Sequence, residues 1–335
     1  MKYLIITDKG DYLPIALKLK REGHEVFFYV KDPHKRNIGL NLVNTVNSFT
    51  ALKPDITLID LPLSHQVSRK VGGKCFGVSE FMDFFCHNKQ YFEDICRLAD
   101  LSYNTQLSSD NSIEAWFNGE RFVLPVFHHT YTKKLLAGDT GDTVQDGYMS
   151  VTSQAVAKFC KKYENTLGKL SDTLKNVQYS GLVRLELCGD TLCYVTTKLN
   201  IPTFLELLDV PLGKIIEQSV GGKLQYIPTH REKAVAIRIS VPPFPYCPKF
   251  FWGFKLYHMN GMKLYDHNDK QMKHLWCLNV YRGDNGTMLS SGHSGDLGYV
   301  TALAGMFMSK EGGRRIKRTI SNLGINNLQY RVDRC

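Results

Sequence analysis

No apolar run in this chain of 335 residues approaches the roughly 20 residues of a membrane-spanning helix. The opening Met1-Lys2-Tyr3-Leu4-Ile5-Ile6-Thr7 is too short, and too soon polar, to read as a signal peptide. The nine cysteines are scattered, odd in number, and contain no CxxC pair. That pattern argues against a disulfide framework or a zinc site and predicts reduced thiols in a cytosolic setting. The first loop, Thr7-Asp8-Lys9-Gly10-Asp11, lacks a G-x-G-x-x-G fingerprint, so a dinucleotide site is not expected there. A Walker loop, G-x-S-x-G, HExxH and a sustained heptad are absent as well. Positive charge is plentiful. The net charge of +10 favours acidic partners (nucleotides, phosphates or nucleic acid) without choosing among them. The composition, 43% hydrophobic and 22% charged, is that of a soluble globular protein, and the length leaves room for two or three subdomains.

The first 78 residues read as alternating strands and helices. Lys2–Thr7, Glu25–Val30, Ile56–Ile59 and Lys74–Val78 are apolar runs bounded by turn residues. Pro14–Arg21 and Ser64–Val71 carry helical spacing. This is the opening of a doubly wound α/β layer. Ser79–Ala99 then predicts one amphipathic helix, with Phe81, Phe84, Phe85, Phe92 and Ile95 on its apolar side. Further on, Val151–Val177 and Pro202–Val220 have helical spacing, and Tyr179–Thr197 reads as a hairpin around Gly189-Asp190-Thr191. Lys233–Ser240, Phe250–Tyr257 and His274–Tyr281 read as strands, and Leu297–Lys310 as a helix. The densest basic patch, Arg314–Arg318, reads as a solvated helix end, with nucleic-acid contact as the alternative.

The stretch Ile113–Ser150 carries the strongest candidate chemistry. Arg121–Phe127 reads as a buried strand. His128, His129, Lys133 and Lys134 then lead into Gly138-Asp139-Thr140-Gly141-Asp142. Lysines beside a glycine loop can hold a phosphate or carboxylate, because glycine backbone N–H groups approach an anion closely. The same residues also suit a hairpin with a solvated turn. His128 and His129 alternate faces on a strand, so the pair does not chelate one ion; either one is a candidate acid or base.

Val123-Leu124-Pro125, Lys133-Lys134 and Ala137-Gly138-Asp139-Thr140-Gly141, in that order, resemble the middle of the phosphoribosylamine-glycine ligases (glycinamide ribonucleotide synthetases), ATP-grasp enzymes of purine synthesis. Glu114-Ala115-Trp116-Phe117-Asn118-Gly119 resembles that family's entry to the strand. Tyr179–Val195 resembles the two strands that carry its metal-binding groups, and Leu328–Asp333 its terminal segment. The resemblance implies an α/β fold: an N-terminal βαβ (pre-ATP-grasp) layer over 1–78, an ATP-grasp α+β core over 79–232, and a β-rich C-terminal subdomain over 233–335. It implies ATP-dependent joining of a carboxylate to an amine, with ATP and Mg²⁺ as cofactors. Carried onto this chain, Lys133, Asp139 and Glu186 become the catalytic candidates. Lys134, Gly138, Thr140, Gly141 and Asp142 become substrate-binding candidates, Glu114 and Arg184 cofactor-binding ones, and Glu186 the metal ligand.

Two departures qualify that expectation. Between Gln106 and Glu114 lie only residues 107–113, whereas even one βαβ unit needs about 30 residues. The lid that closes over ATP is therefore expected to be deleted, and the core truncated. Second, Val195, Thr196, Thr197 and Lys198 cover the position of the carboxylate that bridges Mg²⁺ and phosphate. Magnesium needs hard oxygen ligands, and lysine repels it. Glu186 is a surviving ligand on one reading; on the other, Arg184-x-Glu186 is a surface pair between strands. The expectation is thus a ligase-like protein with lost or altered catalysis. Its alternatives are a non-catalytic nucleotide- or phosphate-binding or assembly protein, and an enzyme of nucleic-acid base modification. The shortened lid suits compact copies of metabolic enzymes in viral genomes, which would place a phage protein in the host cytoplasm.

Overall fold

A computed structural model of the chain describes residues 1–154, 157–199, 202–230, 233–240, 244, 275–284, 288–290, 296–304, 314, 316–318, 320–321 and 328–331. The expected strand Phe250–Tyr257 lies outside them, as do most of the residues around the basic patch.

The amino-terminal layer contains β1 (Lys2–Thr7), α1 (Leu13–Arg21), β2 (Glu25–Val30), β3 (Asn44–Thr45), β4 (Ile56–Asp60), α2 (Ser64–Ser68) and β5 (Lys74–Phe76). Its five strands are parallel, in the order β3-β2-β1-β4-β5. A parallel sheet is covered on both faces, and β1 shows why the run is apolar throughout. Tyr3 and Ile5 enter one core with α1, while Leu4 and Ile6 enter another with Leu61 and Val67.

Two helices follow, α3 (Glu80–His87) and α4 (Lys89–Leu98), where the sequence predicts one. Asn88 breaks the run. Its backbone is extended, and its side chain accepts from the Tyr91 N–H at 3.0 Å, so it caps the second helix. The core then runs β6 (Asn111–Phe117), β7 (Phe122–Leu136), β8 (Thr140–Gln154), α5 (Ala157–Asn176), β9 (Gly181–Cys188), β10 (Thr191–Thr196), α6 (Pro202–Leu207) and α7 (Leu212–Val220). The helical spacing read from Val151 is corrected: Val151–Gln154 end a strand, paired with His129–Val126. The helix read over Pro202–Val220 is also two, with Pro211 supplying the start of the second.

The last strands are β11 (Lys233–Ser240), β12 (Leu275–Cys277), β13 (Val280–Arg282), β14 (Met288–Ser290) and β15 (Asp296–Ala304). The expected helix over Leu297–Lys310 is wrong through Ala304, because β15 pairs antiparallel with β11 from Ala304 to Asp296. Its β-branched centre, Val300-Thr301, suits a strand between two neighbours. β11, β15 and β12 continue the core's sheet, giving eight strands in the order β10-β9-β6-β7-β8-β11-β15-β12.

That large sheet has two unlike faces. Ile113, Ala115, Phe117, Val183 and Leu185 pack with α3, α4 and α5 in a purely apolar cluster. The opposite face turns to α6 and the amino-terminal layer. There Phe204 of α6 lies 5.6 Å from Trp116 and 4.9 Å from Phe127, ring centre to ring centre. Gly181 marks how close the layers come. Its φ is +154°, and a Cβ there would stand 2.6 Å from the Gly77 Cα.

Candidate functional site

The second face of the large sheet holds a polar cluster dictated by strand register. Ser112 pairs with His129 and Glu186, and Glu114 pairs with Arg184, so these side chains share one face. Ser112, Glu114, His129, Arg184 and Glu186 are all buried. Burying so many polar groups is unfavourable unless they pair. Arg184 Nε lies 2.8 Å from Glu186 Oε1 as an ion pair, although its N–H is not aimed for a hydrogen bond. The other oxygen of Glu186 accepts from the Tyr131 hydroxyl. Glu114 accepts from Trp116 Nε1 at 3.3 Å and stands 3.3 Å from His129 Nε2.

Charge in the cluster follows from this packing. Burial pulls the Arg184 guanidinium down, but Glu186 and Glu114 outweigh it and leave its pKa raised. Burial, then Glu186, pushes the Tyr131 phenol well up, which keeps it a hydrogen-bond donor. The amino-terminal layer closes the other side. Tyr12 OH accepts from the Leu199 N–H at 2.9 Å, and its phenol is raised by burial and by Asp60.

Asp60 ends β4 beside Thr7 at the end of β1, where the strand order reverses. Thr7 Oγ1 donates to Asp60 Oδ2 at 3.2 Å, and Lys198 Nζ reaches Asp60 Oδ1 at 2.8 Å. Burial raises the Asp60 carboxyl, and Lys198 opposes that shift. Cysteine chemistry does not enter at Cys86 or Cys96, whose thiols burial pushes up to about 12.

The structure thus gathers Glu114, Arg184 and Glu186, together with His129. It places the other sequence candidates at the far end of a long hairpin. Lys133 and Lys134 lie within β7 rather than in a loop, and Thr140, Gly141 and Asp142 open β8. Gly138 (φ 65°) and Asp139 (φ 55°) make the turn, a left-handed pair that glycine and aspartate tolerate. Thr140 Oγ1 donates to the Ala137 carbonyl at 2.7 Å. The Asp139 carboxylate accepts from Arg331 Nη1 at 2.8 Å, and the Arg331 side chain is buried. Lys133 Nζ donates to Ser108 Oγ at 2.6 Å.

Ser108 belongs to the short connection between α4 and β6. That connection lies along the sheet: the Asp110 N–H bonds the Leu187 carbonyl at 2.9 Å, and Ser109 bonds the Tyr194 phenol. Sequence reasoning missed Tyr131, Ser112, Tyr12 and Asp60. A usable signal existed in Ser112-x-Glu114-x-Trp116 and His129-x-Tyr131, polar residues at period two inside apolar strands.

The residues present do not suit Mg²⁺. A magnesium site takes carboxylate oxygens directly. Here Glu186 is held by Arg184 and Tyr131, Glu114 accepts from Trp116 with its other oxygen near His129 Nε2 but not hydrogen-bonded to it, and Asp60 lies against Lys198 and Thr7. Among the described residues no group of three or more His, Cys, Asp or Glu is placed to hold a metal ion.

No protein-family model matches the chain, and no curated protein matches it. Solved structures do. The phosphoribosylamine-glycine ligase of Thermotoga maritima superposes with a TM-score of 0.70 at 16% identity, over 99% of this chain and 100% of that one. The parallel and antiparallel sheets match a truncated ATP-grasp-like fold. Urea carboxylase of Kluyveromyces lactis matches with a TM-score of 0.59 at 9% identity, over 96% of this chain and 30% of that one. A pyruvate carboxylase of Rhizobium etli matches with a TM-score of 0.56 at 9% identity, over 96% and 33%. The chain spans about a third of each carboxylase. At such identities the likeness establishes a ligase-like fold and leaves the reaction to the residues. Among the described residues no helix is long and apolar enough to cross a membrane.

Proposed function

We propose that this chain is a divergent relative of the phosphoribosylamine-glycine ligases. It binds a nucleotide or a phosphorylated small molecule between its two sheets and has given up Mg-ATP ligation. The observation that carries this reading is the Lys198–Asp60 pair, 2.8 Å apart at the carboxyl ends of β1 and β4. In open α/β sheets ligands bind at such a reversal of strand order. Lys198 supplies a partly exposed cation there for a phosphate. The same lysine falls in the run that, by the resemblance, carries the metal carboxylate in the ligases, so one substitution serves anion binding and opposes Mg²⁺.

The buried cluster supports this division of labour. Arg184 neutralises Glu186, and the polar floor is fixed in place rather than open to a metal. A ligation assay tests the reading: purified protein with Mg-ATP, glycine and phosphoribosylamine, followed by ADP release. The expected result is no turnover above background, with ADP or a sugar phosphate still bound and binding weakened by salt. Turnover at an ordinary enzymatic rate overturns the loss of ligation. Failure of every nucleotide and sugar phosphate to bind overturns the binding role and favours an assembly protein on the same scaffold.

A further inference from the structure

A pocket of about 640 Å³ lies between α3, α4 and the end of α5, and shares no residue with the Lys198–Asp60 cleft. Three aromatic rings line it, Phe81 and Phe84 of α3 and Tyr91 of α4. Val78 and Ser79 border it ahead of α3, Val177 and Gln178 border it after α5, and Glu80 completes the lining. Among the described residues that line it, Glu80 is the one charged group and none is basic, on a chain of net charge +10.

The rings stand there because α3 carries more apolar side chains than the core takes. Met82 and Phe85 fill the core, Phe85 stacked on Phe92 with ring centres 5.6 Å apart. Phe81 and Phe84, three residues apart, share the next stripe of the helix and stay half-buried. Asn88 then turns the chain, and α4 brings Tyr91 back against both, 5.8 Å from each ring centre. The Tyr91 plane is inclined at 71° to Phe81 and 52° to Phe84, so the rings form walls rather than a stack. Glu80 is already engaged, 3.8 Å from Arg69 and 3.9 Å from His65, neither of which lines the pocket. His65 is in turn bound to Asp83 at 2.6 Å. Attraction by the ring faces does not depend on a free carboxylate.

We propose that this pocket binds an organic cation of the alkylammonium class, its N-alkyl groups held against Phe81, Phe84 and Tyr91. The face of an aromatic ring carries the negative part of its quadrupole and attracts a cation within about 6 Å of the ring centre. An anion finds no basic side chain among the described lining residues, and a strongly hydrated ion finds too few polar groups to replace its water. An alkylated ammonium is weakly hydrated and presents carbon to the walls, so it suits both the rings and the two valines. The volume lies in the roughly 300–1,000 Å³ range of small-molecule sites, which leaves room for a tail beyond the cationic head, with Ser79 and Gln178 as its polar neighbours.

The test is a proton NMR titration of the full chain with choline and with its neutral isostere, 3,3-dimethylbutan-1-ol. The N-methyl resonance of choline is expected to move upfield, because ring faces shield the protons that lie over them, and to saturate in the millimolar range. The isostere has the same shape without the charge and is expected to bind more weakly by about tenfold. Tyr91→Leu is expected to weaken choline by about fivefold, and Glu80→Gln by less, because that carboxylate is exposed and already paired. No choline shift at tens of millimolar overturns the proposal. So does an isostere that binds as well as choline, which would reduce the pocket to plain apolar contact. A larger loss in Glu80→Gln than in Tyr91→Leu would place binding on the carboxylate and overturn it too. The comparison of choline with its isostere uses the unaltered chain, so it stands even where a variant fails to fold. Nucleotide binding in the cleft is independent of every one of these outcomes.

Discussion

Arg184 Nε and Glu186 Oε1 stand 2.8 Å apart on the same strand, both side chains buried, with Glu114 opposite Arg184 on the neighbouring strand. A pair of this kind is not a surface pair between strands. It is a charge triad set into a sheet, one guanidinium between two carboxylates, and removing Arg184 leaves both carboxylates unmatched. Arg184→Met is therefore expected to cost about 3–5 kcal/mol, the usual penalty for breaking a buried pair. Glu186→Gln leaves Arg184 facing Glu114 and is expected to cost less than Arg184→Met. Urea unfolding of the two variants checks the order. The opposite order would mean that Arg184 is not the cation on which both carboxylates depend.

Lys198→Met leaves Asp60 buried beside Thr7 without its cation. Burial already raises the Asp60 carboxyl above its ordinary 3.8, and Lys198 opposes that. Because the folded value exceeds the unfolded one, Asp60 favours folding below its unfolded pKa, and that contribution is lost as pH rises through the folded value. Removing Lys198 raises the folded value further. The variant is thus expected to be least stable, relative to the parent, near neutral pH, with the gap shrinking as the medium is acidified toward about pH 4. Chemical unfolding at several pH values measures it; a gap independent of pH would remove Asp60 from the explanation.

Much of the fold is legible in the sequence, and the places where it is not have physical causes. The parallel layer reads cleanly because β1 is apolar on both faces and Gly23 ends α1. That no βαβ unit stands between Gln106 and β6 reads from chain length alone. The helix breaks at Asn88 and Pro211 are hidden by apolar spacing that continues through them. β15 is mistaken for a helix because Val300 and Leu303 satisfy helical spacing, while its identity is settled by pairing with β11, which is distant in sequence. At the site, Glu114, Arg184 and Glu186 are found from the resemblance. The loop candidates around Gly138 belong to a turn whose Asp139 is engaged by Arg331, a contact nearly two hundred residues away in sequence that no local pattern encodes.

The hairpin end gives a third prediction. Arg331 is 1% exposed and donates to Asp139 at 2.8 Å and, at 3.5 Å, to the Lys134 carbonyl. Asp139→Ala removes one charged acceptor of that guanidinium and is expected to destabilise the chain by about 1.5–3 kcal/mol, the usual worth of a hydrogen bond to a charged group. Lys133→Ala, which removes an exposed contact to Ser108, is expected to stay within about 0.5 kcal/mol of the parent. Thermal melts of both variants are sufficient, and equal losses would contradict the distinction.

His24 supplies a second pH response. Its ring lies 5.0 Å from that of Tyr3, and burial, helped by the amino terminus, holds its pKa below the ordinary 6.5. A depressed histidine binds fewer protons folded than unfolded. Its contribution is therefore complete above the unfolded pKa and is lost as pH falls through the folded one. The melting temperature is expected to drop between about pH 7 and pH 5, and His24→Asn to flatten that drop. An unchanged slope in the variant would assign the drop to other groups.

Titration calorimetry with ADP and ATP, once in excess EDTA and once in excess Mg²⁺, tests the central claim most directly. The account predicts binding in EDTA that Mg²⁺ does not strengthen and that Lys198→Met weakens by about tenfold. Binding that appears only with Mg²⁺ would contradict it, since the cleft carboxylates would then be available to the metal after all.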